Sequence, residues 1–439
     1  MARHEPSDPA GALYLGLDLG TSACRACLID GAGRERGQAR APLPEPITRD
    51  RQVEQDARLW WDAARTCIDT LHRAADLTRL RALAVDGTSG SLVLCDSRGR
   101  PRGPALMYND ARAEAEAARI AAVAPPDCGA RGPTASLAKL LYLAAGEPAG
   151  SDLRALHQAD WILGRLTGQW NLSDENNALK LGYDPARRTW PDWLDRLAVP
   201  RGWLPRVLAP GRAAAPLDPA VAATLGLSAD VLAVAGTTDS TAGFLATGAA
   251  RPGEAVTALG STLVLKVLSE RPVFSPQYGV YSHRLDDLWL AGGASNSGGA
   301  VLRQHFSDAR LRDLSPRLRP DEPTGLDYYP LPRPGERFPV SDPELPPRLT
   351  PRPEDPARFL QGLLEAMADI EARGYRLLTG LGAPYPTRVL TVGGGADNAA
   401  WTALRRQRLQ VEVTPAEHRE AAYGAALLAR RGARGADRP

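Results

Sequence analysis

Apolar residues run almost unbroken from Leu13 to Leu19, stop at "GTS", and resume through "ACRACLID", which predicts a strand, a tight turn and a second strand over residues 13–30. The chain opens with a β-hairpin. Apolar positions then recur at helical spacing from residue 57 through Leu71, with Asp56 placed to cap the N-terminus. "LRALAVDGTSGSLVLCDSRGRP" reads as strand, glycine turn and strand. Helical patterns dominate residues 111–168, where "SLAKLLYLAAG" and "ADWILGRLTG" each close on glycine. Residues 198–228 read as loose and rich in proline and alanine. "VLAVAGTTDSTAGFLATGA" then returns to the opening theme, an apolar strand and a Gly/Thr/Asp turn, followed here by a helix.

Three further strand-and-turn segments follow, "AVTALGSTLVLKVL", "LWLAGGASNSGGAVLRQHF" and "RVLTVGGGADNAAWTALRRQRL", and "REAAYGAALLARR" is a last helix. The proline-rich stretch 315–356 reads as an excursion of loops. A chain of 439 residues exceeds what one core usually serves, so two domains of roughly 200 residues are expected. The expected boundary lies near residue 230, giving an N-terminal lobe over 12–230 and a C-terminal lobe over 231–433.

Composition narrows the classes without naming one. Apolar residues make up 44%, charged residues 24%, and the net charge is +2. Arginines are scattered among acidic residues, and Lys139, Lys180 and Lys266 are the only lysines, so no basic stripe for nucleic acid is present. No apolar stretch reaches the length of a membrane helix and the first residues lack the apolar core of a secretory signal, so a cytoplasmic protein with no membrane partner is expected. Five cysteines without framework spacing suit a reducing compartment. Cys24 and Cys27 lie three apart in a predicted strand and face opposite ways, so they read as packing residues. Trp60, Trp61 and Trp161 read as core. His157, His283, His305 and His418 lack metal-ligand spacing and read as surface or loop positions.

Five strand-to-glycine turns in one chain are the candidate chemistry. Glycine beside a strand weakens it unless the backbone turns sharply or approaches something closely. Successive N–H groups in such turns cradle anions, and Thr and Ser hydroxyls add donors, so phosphate is the natural ligand. Neither a GxxxxGK[ST] loop nor a dinucleotide-binding GxGxxG is present. "GLDLGTS" joins a phosphate-cradling turn, Gly20, Thr21 and Ser22, to a carboxylate, Asp18, suited to hydrated Mg²⁺. "AGTTDSTAG" sets Asp239 at a helix start, where the dipole favours the ionised form a general base needs.

These motifs together resemble the FGGY family of carbohydrate kinases. "YLGLDLGTS" is similar to that family's first phosphate motif, "AGTTDSTAG" to the motif of its catalytic aspartate, "ALGSTLVL" to its second phosphate motif and "TVGGGADNAAW" to its adenosine motif. "REAAYGAALLA" matches its closing helix. The resemblance spans nearly the whole chain and implies an α/β, two-lobed actin-like ATPase (ribonuclease H-like) fold with ATP and sugar in the inter-lobe cleft. It implies Asp239 as catalytic base, shared with Asp18 as a metal-site residue. It further implies Gly20, Thr21, Ser22, Gly260, Ser261 and Thr262 at the phosphates, and Gly394, Gly395 and Asn398 at the adenosine.

On the sugar side, "DGTSGSLVLCD" stands where xylulokinases carry "GQMHG", which sets Ser89 and Gly90 opposite their Met-His pair. "YNDARA" is similar to the family's Asn-Asp-x-Arg segment, making Asp110 and Arg112 candidates for the pocket or for a buried ion pair. "NNALKLGYDP" and "VDGTSG" resemble most the D-ribulose kinases of cyanobacteria and plants. The expected reaction is transfer of the γ-phosphoryl of MgATP to a ketopentose, D-ribulose first, by a monomer or homodimer. A xylulokinase or other polyol kinase of the family, and a non-catalytic actin-like ATPase, are the rival readings.

Overall fold

The computed structural model describes residues 11–148 and 150–436. Its contacts divide the chain into two compact units, Met1–Ala246 with Glu420–Pro439, and Thr247–Arg419.

The first unit is built on a six-stranded sheet in the order Ala213–Pro216, Leu232–Thr238, Leu80–Gly87, Leu13–Leu19, Ala23–Asp30, Glu35–Pro42. The central strands Leu232–Thr238, Leu80–Gly87 and Leu13–Leu19 are parallel, and the predicted hairpin extends the sheet antiparallel. Burial on both faces explains why the central strands read as continuous apolar runs. Helix Ala57–His72, capped by Asp56, covers one face together with Gln158–Thr167, and Trp60 and Trp161 meet edge to face there at 6.2 Å. Cys24 packs on that side and Cys27 on the other, as their spacing predicted.

The opposite face carries Asp239–Ala246 and the closing helix Ala421–Ala436. Backbone meets backbone here. A Cβ on Gly16 would lie 1.9 Å from the Ala422 carbonyl oxygen, and one on Gly424 would lie 1.9 Å from that of Ala242. The closing helix therefore needs its small-residue face.

Several sequence expectations change. The boundary falls at Ala246, not near residue 230, because strand Leu232–Thr238 pairs in the first sheet and the last helix returns to it. Residues 111–168 contain a strand, Leu153–His157, beside helices Glu114–Val123 and Ser136–Ala144. That strand closes a second sheet in the first unit, with Leu92–Asp96, Ala105–Leu106, Gln52–Gln55 and Ile47–Arg49. The loose segment 198–228 holds helix Pro219–Leu225 and strand Ala213–Pro216. His157 and His283 are buried in strands, where His157 bonds Asp160 (2.8 Å) and Ser136 (2.9 Å).

The second unit carries a sheet ordered Tyr281–Leu285, Leu288–Ser295, Leu263–Ser269, Glu254–Leu259, Arg388–Val392, Glu412–Pro415. Helices Pro356–Gly380 and Ala399–Leu409 pack on it. Buried Glu371 accepts from Arg405 Nε (2.6 Å) and Nη2 (2.7 Å) and from Thr257 Oγ1 (2.5 Å), while Arg405 Nη1 donates to Thr391 Oγ1 (2.7 Å). Residues 318–355 form the expected loop excursion, pinned where Glu336 accepts from Ser295 Oγ (2.5 Å) and the Asn296 N–H (2.8 Å).

Candidate active site

The first unit gathers its polar groups at the C-terminal ends of the three parallel strands. Register places Asp18 beside Asp86, and Asp86 beside Thr237. Asp239 follows two residues later as the first residue of its helix, half-buried. Asp86 is fully buried and neither carboxylate oxygen has a hydrogen-bond donor. Burial, then the like charge of Asp18 and of Asp239, pushes its carboxyl well above the usual range. Burial also raises Asp18, although its Oδ2 accepts from Arg25 at 3.2 Å. Asn176 Nδ2 donates to Thr237 Oγ1 (2.9 Å) on the same strand end.

Asp86 was not among the residues the motifs singled out. Its signal was present in the sequence: "VDGTSG" repeats the carboxylate-then-glycine pattern of "LDLGTS" at the end of an apolar run. Only the pairing of the two strands makes the carboxylates neighbours.

Beyond Asp86 the chain turns through Thr88–Ser91. Gln158 Oε1 accepts from the Thr88 N–H (3.0 Å) and Oγ1 (2.8 Å), while Gln158 Nε2 and Ser89 Oγ are buried without a partner. Gly90 takes φ +96°, so the predicted Ser89-Gly90 pair forms a turn only glycine fits without strain. Lys180 Nζ donates to the Ser89 carbonyl (3.0 Å); Lys139 Nζ donates to the carbonyls of Gly90 (2.7 Å) and Met107 (2.6 Å). Asp110 and Arg112, in the segment that follows Met107, bond each other. Arg112 Nη2 donates to Asp110 Oδ2 (2.7 Å) and its Nη1 to Glu54 (2.6 Å), and Asp110 also accepts the Val53 N–H (2.6 Å). The buried ion pair is the form the structure takes.

The Gly20-Thr21-Ser22 turn closes the first hairpin, with Gly20 N–H donating to the Ala23 carbonyl at 3.0 Å and a hydroxyl exposed at Ser22. The corresponding second-unit turn is Gly260-Ser261-Thr262, where the Gly260 N–H donates to the Thr262 carbonyl at 3.2 Å. Gly260, Ser261, Gly394, Gly395 and Asn398 line one cavity of about 800 Å³. Asn398 caps helix Ala399–Leu409 and its Nδ2 donates to Ser315 Oγ (3.0 Å). Arg303 Nη2 donates to Ser261 Oγ (2.7 Å). Gly393 is the residue with a positive φ (+86°) here, and a Cβ on it would sit 2.7 Å from the Leu259 carbonyl oxygen. The motifs missed the opposite wall, which comes from Asp308, Leu311, Arg312 and Ser315 and from Leu360 and Leu364 of the long helix.

One α/β unit ends its parallel strands in carboxylates and the other holds glycine turns around a cavity, features suited to a small-molecule phosphotransferase. The chain belongs to the FGGY family of carbohydrate kinases: residues 13–246 match its N-terminal domain and residues 255–433 its C-terminal domain. It is 27% identical over 424 residues to a xylulose kinase of Escherichia coli, covering 89% of this chain and 84% of that one. It is 25% identical over 365 residues to a D-ribulokinase of Saccharomyces cerevisiae, covering 69% and 51%. A crystal structure of a xylulose kinase from Brucella ovis superposes with a TM-score of 0.88 at 27% identity, covering 97% and 91%. The protein is thus a carbohydrate kinase with a sugar and ATP as its substrates. Among the described residues no helix is long and apolar enough to cross a membrane.

Proposed function

We propose that this kinase transfers the γ-phosphoryl group of ATP to D-ribulose, with Asp239 accepting the proton of the attacking hydroxyl. In this reading the cavity of the second unit takes the nucleotide, and the 86–91 segment with its neighbours takes the sugar. The observation that carries the substrate is the Ser89-Gly90 turn. It holds a buried hydroxyl without a partner, Ser89 Oγ, next to Gly90, which the resemblance sets opposite the xylulokinase histidine. D-Ribulose and D-xylulose differ only in configuration at C3, so discrimination must come from polar pairing, about 1–3 kcal/mol per unmade bond. The expected result is a higher kcat/KM for D-ribulose, measured as initial rates with both sugars well below KM. A higher value for D-xylulose would favour the second reading, a xylulose kinase, which is supported by the identity of 27% to the Escherichia coli enzyme.

The donor set fits Mg²⁺. Asp86 has two buried oxygens with no donor and Asp18 lies beside it, a concentration of negative charge suited to a hard cation. Among the described residues no group of three or more His, Cys, Asp or Glu is placed to hold a metal, so phosphates and waters would have to complete the coordination of an ion at Asp18 and Asp86. When bound, Mg²⁺ neutralises charge developing on the phosphoryl oxygens. Asp18→Ala should therefore raise the Mg²⁺ concentration needed for half-maximal rate, with activity partly restored at high Mg²⁺. A deficit independent of Mg²⁺ across the titration counts against the metal role.

A further inference from the structure

In a chain with 53 cationic residues only three are lysines, and two of them grip adjacent carbonyls of one turn. We propose that Lys139 and Lys180 are positioning residues for the sugar acceptor, a pair of ammonium groups that sets the Ser89-Gly90 turn. The proposal rests on the assignment of that turn to the sugar, made in the preceding section.

Lys139 is fully buried, on helix Ser136–Ala144, and its Nζ ties Gly90 to Met107. It thus joins the "DGTSG" turn to the "MYNDAR" segment, the two stretches that sequence similarity places at the sugar. A compact ammonium with three donors can serve two carbonyls in a closed space, where a planar guanidinium would need a fork-shaped acceptor. Lys180 enters from the far side. Its Cδ lies 3.1 Å from where a Cβ on Gly90 would be, a tight contact, and the φ of +96° is what favours glycine at position 90. With both carbonyls engaged, Ser89 Oγ is the side-chain atom of the turn left to a ligand.

Burying an ammonium is costly, and the site shows the cost. Burial and the positive charge of Lys180 pull Lys139 down to about 7, with Asp110 opposing and Arg112 adding to the fall. These are the charged groups that face it. As pH rises through 7, Lys139 loses its charge and its hold on the two carbonyls weakens. Acceptor kcat/KM should then fall while nucleotide kcat/KM does not follow.

The test uses the full-length chain with ¹³Cε-labelled lysine, whose three signals can be followed separately. One signal should titrate near pH 7 and disappear in Lys139→Met. In Lys180→Met the repelling charge is gone, so that midpoint should move to higher pH, and the alkaline limb of acceptor kcat/KM should move with it. Lys139→Met should raise the sugar KM by at least about 10-fold with the ATP KM near wild type, and its acceptor profile should lose the limb. If Lys139→Met does not fold, Lys180→Met carries the test alone. A kinetic limb that stays in place while the NMR midpoint moves overturns the proposal, as does the absence of any lysine titrating below pH 9. Should neither pentulose be phosphorylated, the substrate assignment fails by itself, and the same profiles taken on whichever polyol is turned over still decide the clamp.

Discussion

Asp239→Asn is expected to lower kcat by at least about 10²-fold while nucleotide affinity, measured by calorimetry, stays within about threefold of wild type. The amide keeps the shape of the side chain and removes the basic oxygen. Position supports the assignment, since Asp239 opens helix Asp239–Ala246, where the aligned peptide dipoles favour an anion. Its neighbours divide the labour. Asp86 is fully buried at the end of the neighbouring strand, its carboxyl pushed up by burial and then by the charge of Asp18, whereas Asp239 is half-buried at a helix start, the more open position for a group that must reach an acceptor hydroxyl. The cavity proposed for the nucleotide is lined wholly by residues of the second unit, so the substitution leaves its walls intact. Near-normal turnover in the variant would overturn Asp239 as the base.

The second large effect lies in the core of the second unit. Arg405→Met is expected to destabilise that unit by about 3–5 kcal/mol, because it leaves the Glu371 carboxylate buried and stripped of its cation. The consequence reaches the site. Thr257 and Thr391, which Glu371 and Arg405 bond, lie on the adjacent parallel strands that run into the turns at Gly260 and Gly393. Loosening the network should therefore weaken ATP binding as well as lower the melting temperature. The double variant Arg405→Met with Glu371→Leu removes both charges and should recover a substantial part of the lost stability, since a matched apolar pair avoids the unpaired buried charge. Chemical denaturation of the two variants decides this; a double variant no more stable than the single one would show that the charge pair is not what holds these strands.

Much of the molecule was legible from residue order because the relevant forces are local. An unbroken apolar run bounded by glycine fixes a buried parallel strand and its turn, as at Leu13–Leu19 and Leu232–Thr238. Asp56 announces a helix start by capping chemistry that acts within the first turn, while the cap at Asn398 came to light only in the structure. The residues of the glycine motifs at 260–261 and 394–398 were singled out by their resemblance to the family's phosphate and adenosine motifs, and the structure sets them around one cavity. Long-range pairing decided the rest. Strand Leu232–Thr238 joins the first unit because its partner is Leu80–Gly87, which no local composition shift records, and Gly236 lies so close that a Cβ would fall 1.7 Å from the Val85 carbonyl oxygen. Asp86 became the neighbour of Asp18 by register, and Asp110 turned to Arg112 rather than outward. Two lysines 41 positions apart met at one turn, Lys139 on Gly90 and Lys180 on Ser89. Sequence determined which groups the chain carries and which local shapes hold them; tertiary structure decided which charges share a buried space, because that depends on sheet pairing between segments whose separation along the chain says nothing of their distance.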